Sequence, residues 1–162
     1  MARKLARVAA MQLIYEQLEG GDGGEETLRG LIGFEPAEAP RPDGEDAAEG
    51  GETQAEEQPP VTDQEYEEDC AFIRALVSGT AAHAPELDEQ IASYLRGWTL
   101  DRVARVDLAI LRLAFYELTY VKDTPERVVI NEAVEMAKRY STDKSGAFVN
   151  GVLGAFSRRD QA

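Results

Sequence analysis

Three cations open the chain. Arg3, Lys4 and Arg7 begin a segment in which Ala6, Ala10, Leu13, Ile14 and Leu18 recur at steps of three and four. That spacing predicts an amphipathic helix from about Arg3 to Glu19, ended by Gly20 and Gly21. The first turn of a helix carries the positive end of its dipole, so each cation there costs roughly 0.3 to 1 kcal/mol at low salt. Phosphate contacts would compensate such charges, and an ordinary solvated basic helix start is the alternative.

Other residue types with chemical potential lack the company they need. A lone Cys70 supports neither a disulfide framework nor, by itself, a zinc site. It falls on an apolar stripe, with no base near it in sequence to activate a thiolate. His83, the single histidine, belongs to the turn before Pro85, placed to cap the next helix and with no catalytic partner. The GGDGGEE stretch at 20–26 lacks the lysine and the Ser or Thr of a P-loop, so it reads as a linker. No nucleophile with its base, paired carboxylates or metal cluster is visible, and the expectation is a protein that is not an enzyme, without cofactor or metal.

The net charge of −14 argues against nucleic acid only until it is mapped. Segment 35–60 holds nine acidic residues against Arg41, and Asp63, Glu65, Glu67, Glu68 and Asp69 add five more, which leaves the remaining chain at −1. Rich in Glu, Ala, Pro, Gly and Asp, 35–60 offers little to bury and is expected to be a disordered acidic insertion in a single domain spanning 1–162. It reads as a solvated insertion, with mimicry of nucleic acid or the exclusion of wrong partners as the sharper alternative. The basic opening is followed by the mixed run VAAMQLIYEQLE and not by a signal-peptide core, so a reducing cytoplasmic setting without a membrane is expected.

The elements that must position the cations are helical throughout. Leu28, Leu31, Ile32 and Phe34 suggest one or two short turns. Thr62 and Glu65 have the spacing of a capping box for a helix with Tyr66, Cys70, Ile73 and Val77 on one face, joined by Phe72 and Leu76 and closed by Gly79. Pro85 starts the next helix, with Leu87, Ile91, Tyr94 and Leu95 inward, and Gly97 ends it before Trp98, expected to pack at a corner. Leu100–Leu118 is apolar around most of its circumference, so it is expected to be the buried central helix, capped by Asp101. Arg105, Asp107 and Arg112 should form its thin polar edge. Thr124 as cap and Pro125 at the first position open a helix with Ile130, Ala133, Val134, Ala137 and Tyr140 inward. A last helix, starting at Asp143 or Ser145, carries Val149, Val152, Leu153 and Phe156, with Gly151 and Gly154 suggesting close approach to a neighbour and Phe148 showing an edge. Strand-like alternation is missing, so the fold class is all-α, a compact bundle of about six or seven helices.

Four blocks resemble the NusB family of transcription antitermination factors. They are the opening with Arg3, Ala6, Arg7, Ala10, Gln12 and Tyr15, the central LDRVARVDLAILRLAFYEL followed by Pro125, the INEAVEMAK run at 130–138, and FVNGVL at 148–153. The likeness spans about 1–19 and 61–156, with 35–60 outside the family's pattern. It implies a protein that pairs with the small-subunit ribosomal protein NusE, grips boxA RNA of ribosomal RNA leader transcripts, and works with RNA polymerase and other Nus factors in an antitermination complex. Ribosome maturation is a further association of the family. Carried over by position, the resemblance puts Arg3, Lys4 and Arg7 on RNA phosphates, Tyr15 and Phe148 near bases, and Asp107 in the NusE contact.

The chain departs from that pattern at Val8, where an acid is usual, at Lys144, where an acid is frequent, and at Ala147, where lysine is common. These swaps put the RNA affinity and one rim of the partner surface in question. Two other readings stand beside the first. One is the NusB-like domain of rRNA cytosine methyltransferases, which the chain's end soon after FVNGVL disfavours. The other is a helical module that binds protein alone and makes no direct RNA contact.

Overall fold

The computed structural model describes residues 3–21, Leu28 and 63–159. Six α-helices lie within these residues: α1 Arg3–Leu18, α2 Asp63–Ala82, α3 Ala84–Ser93, α4 Arg105–Tyr120, α5 Glu126–Tyr140 and α6 Ser145–Ser157. The insertion expected at 35–60, the capping pair Thr62 and Glu65, the inward Tyr66 and the turns at 31–34 lie outside the residues and side chains described. Leu28 is helical and buried against the core.

Helix α4 is the hub. It packs against α1, α2, α3, α5 and α6. Its Leu108, Ala109, Ile110, Leu111, Leu113, Ala114 and Phe115 are buried, which accounts for a sequence apolar on every side. The helix starts later than its pattern suggests. Leu100–Arg102 form a separate 3₁₀ turn, and Val103 and Ala104 are extended, so Asp101 caps nothing on α4 and is exposed.

Several local expectations shift for identifiable reasons. Gly79 does not end α2, which runs on to Ala82; a Cβ there would collide with the Tyr116 phenol, so the glycine makes room for a tyrosine of α4. Pro125 is the N-cap of α5 and not its first residue, and Thr124 accepts a bond from Arg7. The buried face of α5 is Val129, Ala133, Met136 and Ala137, with Ile130, Val134 and Tyr140 only half-buried, so the face is turned from the one expected. Trp98 does not pack into a corner and is 57% exposed. His83 makes no capping bond; its ring stacks on Tyr120 with centroids 4.0 Å apart, and its Nδ1 lies 3.2 Å from the Glu86 Oε2. Cys70 is a buried free thiol, as its stripe requires.

Polar ties also fix the helices around α4. Arg112 is not a free edge residue: its Nε and Nη2 each donate to the Asp88 carboxylate of α3 at 2.7 Å. Tyr120 donates to Glu86 at 2.8 Å. That bond, with help from His83, holds the Glu86 carboxyl below its ordinary range and pushes the Tyr120 phenol up.

Candidate nucleic-acid and partner interface

The three opening cations have three different fates. Helical geometry turns each successive side chain by about 100°, so neighbours in sequence face different surroundings. Arg3 places its guanidinium over the Phe72 ring of α2, 3.7 Å from the centroid. Lys4 is exposed and lines a cleft of about 200 Å³ between α1 and the end of α5. Arg7 points inward, 5% exposed, and its Nε donates at 2.8 and 3.1 Å to the two oxygens of Glu117, with Nη2 donating at 3.1 Å.

The phosphate role expected of Arg7 is therefore withdrawn. Its positive charge is neutralised by Glu117, itself 1% exposed, and the donors that face that carboxylate are already committed to it. Burying a carboxylate requires a partner of this kind, because removing one member leaves an unpaired charge in the interior. The charge that looked misplaced at a helix start is structural.

Where sequence alone offered Lys4 with two α1 neighbours, the fold gives it neighbours from α5. Lys138, Arg139, Tyr140 and one acid, Glu135, share its cleft, with Val8 and Met136 as its buried floor and Leu5 at its rim. Lys138 and Arg139 are exposed; Lys138 is 3.7 Å from Glu135, a loose surface pair. The signal for them was present in the sequence, two adjacent cations in the last turn of α5, but that position is also favoured by the helix dipole and so carried no surplus to explain. Val8, in place of the family's acid, supplies apolar floor to this cleft.

One turn further along the chain lies a second depression, of about 280 Å³. Trp98, Val103, Ala104 and Phe148 form its apolar wall, and Arg102, Lys144, Asp107 and Ser145 supply polar groups. Tyr140 borders the first cleft and Thr142 the second, so the short turn between α5 and α6 separates the two. Phe148 is half-buried, with its ring centroid 6.5 Å from that of Trp98. Tyr15, 37% exposed, borders neither depression.

Asp107 was expected on an exposed edge and is instead 6% exposed. Its Oδ2 accepts from the Ser145 hydroxyl at 3.0 Å, and Ser145 is in turn within 2.9 Å of the hydroxyls of Ser141 and Thr142. Its Oδ1 has no hydrogen-bond partner among the described residues. A buried carboxylate oxygen without a partner among the described residues is costly, so a donor that met it would be held firmly. Arg102 and Lys144 are exposed at the same site, so the departure at Lys144 adds a cation.

The family model described as the NusB family matches residues 42–158, beginning inside the acidic segment and leaving α1 out. The chain is 36% identical over 154 residues to the transcription antitermination protein NusB of Clostridium botulinum (strain Kyoto / Type A2), covering 95% of this chain and 98% of that one. It is 53% identical over 89 residues to the NusB protein of Halalkalibacterium halodurans, covering 55% of this chain and 66% of that one. Among solved structures, T. maritima NusB superposes with a TM-score of 0.71 at 29% identity, covering 98% of this chain and 92% of that one. A chain from the crystal structure of antitermination factors NusB and NusE in complex with dsRNA gives 0.67 at 26% identity and covers 96% of each chain.

Proposed function

This chain belongs to the NusB family, and from that premise we propose that it is an antitermination factor which, together with NusE, binds boxA RNA and helps RNA polymerase read through terminators. The relatives are named transcription antitermination proteins, and one structural neighbour holds NusB and NusE in complex with dsRNA. No helix among the described residues is long and apolar enough to cross a membrane, and a cytoplasmic site of action with RNA polymerase and other Nus factors fits the reading. The protein works by binding, not by catalysis.

The observation that carries the proposal is the succession of two depressions across the α5–α6 turn, one cationic and one aromatic with an open carboxylate oxygen. Lys4, Lys138 and Arg139 hold phosphates, which supply most of the salt-dependent affinity. Phe148, half-buried beside Trp98, offers the accessible part of its ring to a base of single-stranded RNA. Arg3, held over Phe72 and lining neither depression, is at most a secondary phosphate contact. Asp107 accepts a donor from NusE, and Tyr15 lies at the margin of the RNA.

Titrating labelled boxA RNA into the protein, with and without NusE, tests this. Binding should tighten when NusE is present. Changing Lys4, Lys138 and Arg139 together to alanine should weaken it and flatten its salt dependence. RNA affinity unchanged in the triple variant would leave a module that binds protein alone.

A further inference from the structure

A third groove, of about 400 Å³, runs along the outer face of α6 and continues from the depression at Phe148, with which it shares Phe148 and Trp98. Its floor is bare. Ala147, Gly151 and Ala155 follow at intervals of four and form one row of the helix. Glycine inside a helix costs about 0.5 to 1 kcal/mol against alanine, yet no helix among the described residues uses the space: a Cβ at Gly151 would meet nothing within 4 Å. Gly154, also expected to serve helix packing, has the guanidinium of Arg158 as its nearest neighbour.

The sides of the groove are cationic and aromatic. Arg96 and Arg158 are both exposed, and neither has a carboxylate partner among the described residues. Among the described residues no acid lines the groove, in a chain of net charge −14. Trp98 is the most exposed large apolar side chain among the described residues. Unpaired arginines beside an exposed indole, over a floor that admits close approach, suit an anionic ribbon with flat side groups.

We propose that this groove carries single-stranded RNA onward from the base stacked on Phe148, with phosphates on Arg96 and Arg158 and a further base against Trp98. It rests on the RNA-binding role above and extends the path of the strand beyond boxA.

The test uses the full-length protein and two labelled RNAs, a short boxA oligonucleotide and the same oligonucleotide with a single-stranded tail at each end. The tails should tighten binding to the unaltered protein at least about five-fold, the equivalent of one stacked base. An Arg96→Glu, Arg158→Glu variant should lose that gain, and its salt slope on the longer probe should fall by about 1.4, two phosphates on a single strand. Gly151→Glu, which puts a carboxylate into open space without crowding the core, should lose the gain as well. Both variants should bind the short probe like the parent. Tails that add nothing, or add as much in both variants, would overturn the proposal. So would loss of NusE retention without change in RNA binding, which would assign the groove to a protein. Failure of the unaltered protein to hold even the short probe would instead refute the RNA-binding role itself.

Discussion

Arg7 and Lys4 are one turn apart on the same helix and carry the same charge, yet one holds the molecule together and the other is offered to its surroundings. Arg7 is enclosed with Glu117 and bonded through two nitrogens, whereas Lys4 is exposed beside Lys138 and Arg139. A formal charge therefore says little about its use until its counter-charge is located. The contrast extends to carboxylates: Glu117 has three bonds from Arg7, while Asp107, nearly as buried, keeps one oxygen open.

The strongest way to break the contrast is at Arg7. Arg7→Ala should destabilise by about 3 to 5 kcal/mol, because it strands the Glu117 charge inside, and chemical denaturation would read this as a lowered midpoint. Replacing both partners with apolar residues of similar volume should restore much of the loss. An Arg7→Ala protein of undiminished stability that fails to bind RNA would return Arg7 to the ligand surface. Phe148→Ala comes next, with about 1 to 3 kcal/mol lost from RNA binding, measured by titration, if one base stacks there.

Single alanine changes at Lys4, Lys138 or Arg139 should leave stability within about 0.5 kcal/mol. Each should lower the salt slope of RNA binding by about 0.7. A Lys4→Ala variant that unfolds as readily as Arg7→Ala would erase the distinction. Gly151→Ala should raise stability by about 0.5 to 1 kcal/mol, since the added methyl enters open space and suits the helix better.

The mildest expectation concerns pH. The Glu86 carboxyl is held below its ordinary value, so its contribution to stability is present above the usual carboxylate range and fades as pH falls through the lowered value. The Tyr120 phenol is raised, so its contribution holds below the ordinary tyrosine range and fades as pH climbs past it. Thermal midpoints of the parent and Glu86→Gln, followed across pH, should differ most in the neutral range and converge at both extremes.

Much of the architecture could be read from the residues. The all-round apolarity of 105–118 marks α4 as the hub because a helix meeting five others has no side left for water. The extent of α1 and the inward Val149, Val152, Leu153 and Phe156 followed from spacing alone. Tertiary partners were beyond its reach. Gly79 looked like a stop because the tyrosine that fills its space lies 37 positions away, at Tyr116. The site was legible to the same degree: Lys4 and Phe148 lie on the depressions, but the adjacency of α5 to α1 that brings Lys138 and Arg139 to Lys4 has no sequence signature. Glu117 on the greasy helix was the one available hint that a cation elsewhere must answer it.

The Arg7–Glu117 bond has a further consequence for how the molecule is made. It spans 110 positions, and Thr124, which also meets Arg7, comes later still. The first helix thus leaves the ribosome long before the residues that complete its seat have been translated. Until they arrive, its guanidinium lacks its buried partner and only the cover that α2 provides is available, so the seat of the opening helix is completed late in synthesis.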